Sequence, residues 1–378
     1  MADPLAPITL PSCPRPGEVA PRLNAGDLDV FAQMAACQQD PVHHAEGDVL
    51  AHTQLVCDAL VADPDWRTLD GRDRGELWLA ALLHDCGKFA TTREEDGRIV
   101  APNHAQVGSV IARGLLWRAG VTPAARERVC ALVRWHMAPY HLLTRPDATR
   151  RAIEISLTAR PDLLAILVRA DMTGRVSLTD DRGGDEPELM LEYCQELGCA
   201  TGPYPFANDH SRVMYFRRED RDLAYAAYDD TRCQLTILSG LAGAGKDRWA
   251  SQHTNGQAVI SLDDLRRADS RYQRGDRKAE GRIVAQAREL LREELRNSRD
   301  CVWNATSLSR MQRGKVLGIA ADYNARVRIV CVEAGVGVLR AQNAGRAHPV
   351  DEAGIARMLH AWEFPTPVEA HRIEIAGA

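Results

Sequence analysis

The adjacent pair His84-Asp85 constrains this chain more than any other feature, because it closes the apolar run Leu77-Trp78-Leu79-Ala80-Ala81-Leu82-Leu83. An imidazole and a carboxylate at the end of a buried helix can both reach a divalent ion of hard or borderline character. Single histidines stand at His52, His104 and His136, and a lone Asp171 lies downstream. These six residues suffice for two metals, and two metals suit the hydrolysis of phosphate esters. Seven of the twelve histidines fall between His43 and His141, which concentrates the metal chemistry in the first half of the chain. A histidine ligand must be neutral and needs a neighbour that fixes its tautomer; Glu46 and Asp48 stand near His44 and His52 for that task. Lys88 reads either as a cation for a phosphate oxygen or as an ordinary solvated lysine. His43 and His141 read as exposed or outer histidines.

At 378 residues, with 45% apolar and 26% charged side chains, the chain has room for two domains with separate cores. A net charge of −5 gives no global basic surface for nucleic acid, so any such surface has to be local. The ten cysteines include no CxxC pair and no signal-peptide pattern precedes them. Cys37, Cys57, Cys130 and Cys331 sit in apolar company, which predicts core thiols in a reducing, cytoplasmic compartment. No apolar run approaches the roughly 18 residues that a membrane span needs, and no membrane partner is expected.

Residues 1–26 hold six prolines and no periodicity, and so predict an irregular arm. From 27 to 197 the apolar spacing is helical nearly throughout, with one helix ending at Asp171. The stretch 180–187 reads as an exposed loop, and 198–232, rich in Tyr, Arg and Asp, as a connector. From 233 to 378 the texture changes. Leu235–Leu238, Ala258–Leu262, Cys301–Trp303 and Val327–Val332 read as short buried strands, and Ala279–Arg296 as an amphipathic helix. The pattern predicts an all-α domain followed by an α/β domain with a parallel sheet.

The segment Gly240-Leu241-Ala242-Gly243-Ala244-Gly245-Lys246-Asp247 is G-x-x-x-x-G-K between a strand and a helix. Its glycines let backbone N–H groups converge on phosphates, the following helix adds its dipole, and Lys246 would reach the β- and γ-phosphates. Asp247 departs from the Ser or Thr that usually holds Mg²⁺. A carboxylate can ligate Mg²⁺ but adds negative charge beside a triphosphate.

The pattern His52, His84-Asp85, Asp171 resembles the HD phosphohydrolase superfamily, with His104 and His136 at the positions of the extra ligands in dinuclear members. The segment His44–Thr53 looks like the start of HD domains that act on RNA ends, which implies that His44 lies beside the substrate. In the second half, Ser261-Leu262-Asp263-Asp264-Leu265-Arg266 resembles the strand-end D-D-x-R motif of polynucleotide 5′-kinases; without the P-loop, Asp263 or Asp264 would read as a helix cap. The resemblance implies that Asp263 accepts the proton of a 5′-hydroxyl and that Arg266 contacts the neighbouring phosphate. It also implies that Asn304 and Arg313 lie near the phosphates. The resemblance implies further that Arg346–Val350 is a lid in which Arg346 would act as an arginine finger, with Gln342 where some relatives carry a second arginine.

Together the halves resemble, from about residue 27 onward, the bacterial bifunctional RNA end-healing enzymes. That resemblance implies a phosphoesterase centred on Asp85 that removes a 2′,3′-cyclic, 2′- or 3′-phosphate with two transition metals such as Mn, Co, Ni or Zn. It implies a kinase that uses ATP or another NTP with Mg²⁺, RNA ends (with DNA ends as the variant) as substrate, and an RNA ligase as partner. Two other readings stand beside it: a small-nucleotide HD phosphohydrolase with an NTP-sensing P-loop module, and a nucleic-acid-binding module with an inactive kinase. Asp263 and Arg266 separate them, since a sensor needs no hydroxyl-facing carboxylate.

Overall fold

The computed structural model describes residues 3–178, 184–273, 275–346 and 348–377. The chain divides into two compact units, Ala6–Pro205 and Phe206–Ala378, with residues 3–5 grouped with the second. Of the loop expected at 180–187, residues 180–183 lie outside the described residues, and Glu186-Pro187 instead open the helix Glu186–Glu196. The expected connector 198–232 is divided between the units: its first part closes the helical unit, and its second carries a helix, Asp209–Arg217. Arg212 of that helix donates to the carbonyls of Pro367, Ala370 and His371, so the helix belongs to the second unit's fold.

The first unit is helical, as its periodicity predicts. Helix Val49–Ala62 starts where Asp48 accepts from Ala51 N–H, and helix Gly71–Leu83 where Asp70 accepts from Asp73 N–H, each satisfying one otherwise unpaired donor. Leu77, Trp78, Ala80, Ala81, Leu82 and Leu83 are all fully enclosed, so the apolar run is buried around the helix rather than along one stripe. Two glycines permit the close approaches that bring the ligand-bearing helices together. A Cβ on Gly87 would sit 2.1 Å from His104 O and 2.5 Å from Gly108 N, so helix His104–Arg118 can approach the His84-Asp85 turn only against glycine. A Cβ on Gly174 would meet Val56 N at 2.6 Å, which fixes helix Pro161–Gly174 against Val49–Ala62. A short antiparallel hairpin, β1 (Arg93–Glu95) and β2 (Arg98–Val100), interrupts the helical pattern. Its six residues are exposed or half-buried, so they carry no hydrophobic period to announce it. The proline-rich arm is irregular yet anchored: Trp78 Nε1 donates to Pro11 O at 2.9 Å, and Gln54 Oε1 accepts from Leu23 N at 2.8 Å.

The second unit is a five-stranded parallel sheet of order β4-β5-β3-β6-β7, with β3 Cys233–Ser239, β4 Ala258–Ser261, β5 Cys301–Asn304, β6 Ala325–Glu333 and β7 Arg372–Gly377. The first four match the strands expected from sequence. The edge strand β7 escapes that reading because Arg372 and Glu374 alternate with its apolar residues and it is nowhere fully buried. In register, Leu238 pairs with Asn304 and Asn304 with Ser261, so the carboxyl ends of the three strands lie side by side. That rim is where open α/β sheets bind ligands. No helix among the described residues is long and apolar enough to cross a membrane.

Candidate functional site

Three helix ends and two helix interiors deliver the metal-type residues. His84-Asp85 follows helix Gly71–Leu83, His104 opens His104–Arg118 and His136 follows Pro123–Trp135. His52 and Asp171 come from the middle of two further helices. The six residues expected from sequence meet in one buried cluster. His52 Nε2 lies 3.0 Å from Asp171 Oδ1 and 3.7 Å from Asp85 Oδ2, and His84 Nε2 lies 3.4 Å from Asp85 Oδ2. On the other carboxylate oxygen, His104 Nε2 is 3.3 Å and His136 Nε2 3.7 Å from Asp85 Oδ1. Asp85 therefore stands between two sets of imidazoles, each of which could hold an ion with it.

The tautomers are fixed by local hydrogen bonds. His84, His104 and His136 each direct Nδ1 at a backbone carbonyl three residues earlier, Ala81 O, Ala101 O and Val133 O, all at 2.8 Å. A carbonyl only accepts, so Nδ1 carries the proton and Nε2 presents a lone pair. His52 lies between two carboxylates, Nδ1 2.8 Å from Glu46 Oε1 and Nε2 3.0 Å from Asp171 Oδ1; burial opposes its charge, yet the two acids raise it above the ordinary imidazole value. The result suits cations. His104 Nε2 and His136 Nε2 face each other at 3.2 Å as two lone pairs, and His84 Nε2 is buried with no hydrogen-bond partner. Burial alone would raise Asp85 and Asp171, but the surrounding cations and imidazoles hold both well below the usual carboxylate range. The set of imidazoles and carboxylates fits two divalent ions of the transition series.

Lys88 is no solvated lysine: its Nζ contacts Asp85 Oδ2 at 2.7 Å and donates to Gln39 Oε1 at 2.6 Å. His44 sits at the rim, its Nδ1 2.9 Å from Glu46 Oε1, and burial pulls it down to about 4. Glu46 thus serves both histidines, whereas Asp48 is occupied as a helix cap. Three residues are added by the fold. Tyr140 donates to Asp171 Oδ2 at 3.0 Å, Arg175 donates to Tyr140 Oη at 3.1 Å, and Gln39 receives Lys88. Arg175 follows Asp171 by four residues and was open to helical spacing; Tyr140 and Gln39 carry no such signal.

In the second unit the glycine-rich segment leaves the central strand β3. Gly240 has no room for a side chain, because a Cβ would lie 2.3 Å from Val332 O, and Gly243 and Gly245 take φ of +82° and +94°. Ala244 is buried within the loop, and Gly245 caps helix Lys246–His253. Lys246 Nζ donates to Gly240 O at 3.0 Å and to Leu241 O at 2.9 Å. Desolvation lowers Lys246 to about 8 against the opposing pull of Asp247 and Asp263. Asn304, ending β5, donates to Asp247 Oδ1 at 2.6 Å. Arg266 Nη1 donates to Asp263 Oδ1 at 2.5 Å and Arg346 Nη2 lies 3.7 Å from Asp263 Oδ2, while Glu280 holds the other side of Arg266. Lys246, Asp247, Asp263, Arg266, Asn304 and Arg346 are thereby gathered at the carboxyl rim of the sheet. Within the expected lid, Ala347 lies outside the described residues; Asn343 ties the rest by two hydrogen bonds to the backbone of Val350.

Arg313 is the correction. It is fully enclosed, paired through two nitrogens with Glu369, and donates to the carbonyls of Ser307, Leu308 and Glu363. Its guanidinium staples the helix Arg310–Asp322 to the C-terminal segment, and the expected substrate contact gives way to a structural one.

Comparisons with known proteins agree with the two-part construction. Residues 51–171 match the HD domain family and residues 235–365 match an AAA domain family. The CC-adding tRNA nucleotidyltransferase of Thermus thermophilus is 41% identical over 95 residues, 25% of this chain and 20% of that protein. The bifunctional uridylyltransferase/uridylyl-removing enzyme of Ruegeria pomeroyi is 36% identical over 110 residues, 28% of this chain and 11% of that protein. The chain therefore spans only a small part of the curated relatives it matches. A solved structure titled a "putative kinase" from Chloroflexus aurantiacus aligns with a TM-score of 0.32 at 14% identity, over 39% of this chain and 86% of that one. An HD-type match thus falls on the helical unit and an AAA-type match on the P-loop and parallel sheet of the second.

Proposed function

We propose that this chain heals broken RNA ends, clearing a 2′,3′-cyclic, 2′- or 3′-phosphate at its HD centre and phosphorylating the 5′-hydroxyl at its P-loop. The observation that carries the reading is the position of Asp263: a carboxylate set beside Arg266 and Arg346, near the P-loop lysine, has a purpose in transferring phosphate to a hydroxyl and none in merely sensing a nucleotide.

At the HD centre, His52, His84, Asp85 and Asp171 would hold one ion and Asp85, His104 and His136 the other. Divalent ions there supply Lewis acidity toward a phosphate oxygen and lower the pKa of water. The chain's own residues do the rest. Glu46 and the three backbone carbonyls aim the imidazoles. Lys88 contacts Asp85 Oδ2 at 2.7 Å, and His44, beside Glu46, would meet the substrate's sugar-phosphate. At the P-loop, the backbone N–H groups and Lys246 would bind the phosphates of an NTP, and Asp247, braced by the Asn304 amide, would hold Mg²⁺. The 5′-hydroxyl oxygen bonds to the γ-phosphorus as the bond to the β–γ bridging oxygen breaks. The hydroxyl proton passes to Asp263, and the nucleoside diphosphate leaves with Arg346 balancing its charge.

The test is mass spectrometry of one short RNA bearing a 5′-hydroxyl and a 2′,3′-cyclic phosphate, incubated with the chain, ATP, Mg²⁺ and Mn²⁺. The reading expects loss of the cyclic phosphate and gain of a 5′-phosphate. Asp263→Ala should remove only the second change and Asp85→Ala only the first. Equal loss of both activities in either variant contradicts two independent centres. RNA left untouched by a metal-loaded chain favours a small-nucleotide phosphohydrolase instead.

A further inference from the structure

The segment first read as a connector forms one wall of a cleft of about 550 Å³ in the second unit. Arg217, Arg218 and Arg221 line it together with Tyr225 and Tyr228. Its floor includes Ala325, the first residue of β6. The P-loop lies at the other end of the same strand, since Gly240 packs on Val332. Seven residues of strand separate the two, roughly 23 Å at about 3.3 Å per residue. The cleft is therefore distinct from the P-loop site.

Arg217 Nη2 is buried with no hydrogen-bond partner, and desolvation alone depresses its guanidinium, with no carboxylate acting against it. Glu219 and Asp220 stand beside the arginines in sequence and Asp230 lines the cleft, while three acids of the segment carry hydrogen bonds of their own. Asp222 accepts from Ala224 N, Asp229 from Thr231 and Arg326, and Asp230 from Asn324 at 3.1 Å. The Tyr228 ring is open, 84% exposed, while Tyr225 is 49% exposed with the Arg221 guanidinium 4.8 Å over its ring. Arginines interleaved with exposed aromatic faces are what a single strand requires, cations for phosphates and π-faces for unpaired bases. The volume falls within the range of small-ligand pockets and can seat a nucleotide unit. The lining sets three arginines against the single carboxylate of Asp230, a local excess of positive charge in a chain of net charge −5.

We propose that this cleft binds a single-stranded nucleic acid, with its phosphates on Arg217, Arg218 and Arg221 and a base stacked on Tyr228. A stacked strand advances about 3.4 Å per nucleotide, so a dinucleotide at the P-loop cannot reach the cleft and a 12-mer can.

The experiment is fluorescence anisotropy of the full chain with a labelled 12-nucleotide RNA carrying a 5′-phosphate and a 3′-hydroxyl, ends that the proposed reactions leave unchanged. Tyr228→Ala, at an exposed position where folding is not at stake, should weaken binding about tenfold. Arg221→Ala should reduce the log–log salt slope by about 0.7, one phosphate contact. Wild-type affinity and slope in both variants, or no measurable binding by the wild-type chain at low salt, overturns the proposal. Displacement of the RNA by free ATP at equal nucleotide concentration, lost in Arg221→Ala, reassigns the cleft to a free nucleotide and also overturns it. A second readout rests on the end-healing reading: Tyr228→Ala should raise KM about tenfold for a 12-mer 5′-hydroxyl acceptor and leave kcat, and the KM of a dinucleotide, unchanged. If no acceptor is phosphorylated, the end-healing reading fails while anisotropy still decides the cleft.

Discussion

Asn304 donates from its side-chain amide to Asp247 Oδ1 at 2.6 Å, so the residue that replaces the usual Ser or Thr after the P-loop lysine is tethered to the end of the neighbouring strand. A carboxylate held in this way presents its second oxygen in a fixed direction, which is what a Mg²⁺ ligand has to do.

Asp247→Thr is accordingly expected to keep NTP-dependent phosphorylation within about tenfold of wild type, a change of about 1.4 kcal/mol. Asp247→Leu, which keeps the volume and loses the oxygens, should abolish it. Turnover measured across a Mg²⁺ titration decides the matter; a Leu variant as active as wild type removes Asp247 from the reaction.

Asp85 touches both sets of imidazoles, so Asp85→Asn should lower bound Mn²⁺ at both positions together, read by elemental analysis of dialysed protein. Glu46→Gln acts one step further out, through the His52 and His44 rings, and is expected to weaken metal affinity roughly 10- to 100-fold. Kinase turnover should be unaffected in either variant. Full metal content in Asp85→Asn would refute the shared ligand.

Arg313→Ala leaves Glu369 buried without its cation, a loss expected to destabilise the second unit by about 3–5 kcal/mol. Thermal melting should show it directly. If the variant instead melts like wild type and raises only the acceptor KM, the residue contacts substrate after all.

A buried histidine pair gives the second unit a pH dependence. Val327 N donates to His371 Nδ1 at 3.0 Å, which leaves the proton on Nε2, facing His210 Nδ1 at 3.1 Å. Burial, then Arg326, Arg217 and His210, lower His371 to about 4 against the weaker pull of Asp229. The unfolded imidazole titrates near 6.5, so between about 6.5 and about 4 the unfolded chain takes up a proton that the folded chain refuses. Stability therefore falls as pH drops through that window, by at most about 1.4 kcal/mol per unit, and this group contributes no pH dependence above it. Melting curves of wild type and His371→Asn from pH 4.5 to 7.5 should differ in slope, the variant falling less steeply; equal slopes contradict the assignment.

Much of this was legible in the sequence because the signals are local. The run Leu77–Leu83 is apolar at every position, and the P-loop glycines follow a strand directly, so both motifs came with their structural context attached. The remainder depends on tertiary placement. Arg313 and Arg346 look alike in sequence, yet one is enclosed against Glu369 and the other faces Asp263, a difference that only packing creates. Strand β7 and the hairpin β1–β2 were missed because edge and surface strands need little apolar pattern. Tyr140 reaches Asp171 from a short 3₁₀ turn, where no helical or strand period could place it.

The three imidazoles of His84, His104 and His136 each take their bearing from a carbonyl three residues upstream. Their alignment is thus written into three residues of chain, a helical step at His84 and His136 and a turn at His104, rather than borrowed from distant neighbours. Substitutions elsewhere in the supporting helices can accumulate without turning a ring. An insertion or deletion of a single residue between positions 81 and 84, 101 and 104, or 133 and 136 would misdirect a ligand outright, and sequence drift in this unit should respect those three short spacings before it respects anything in the surrounding core.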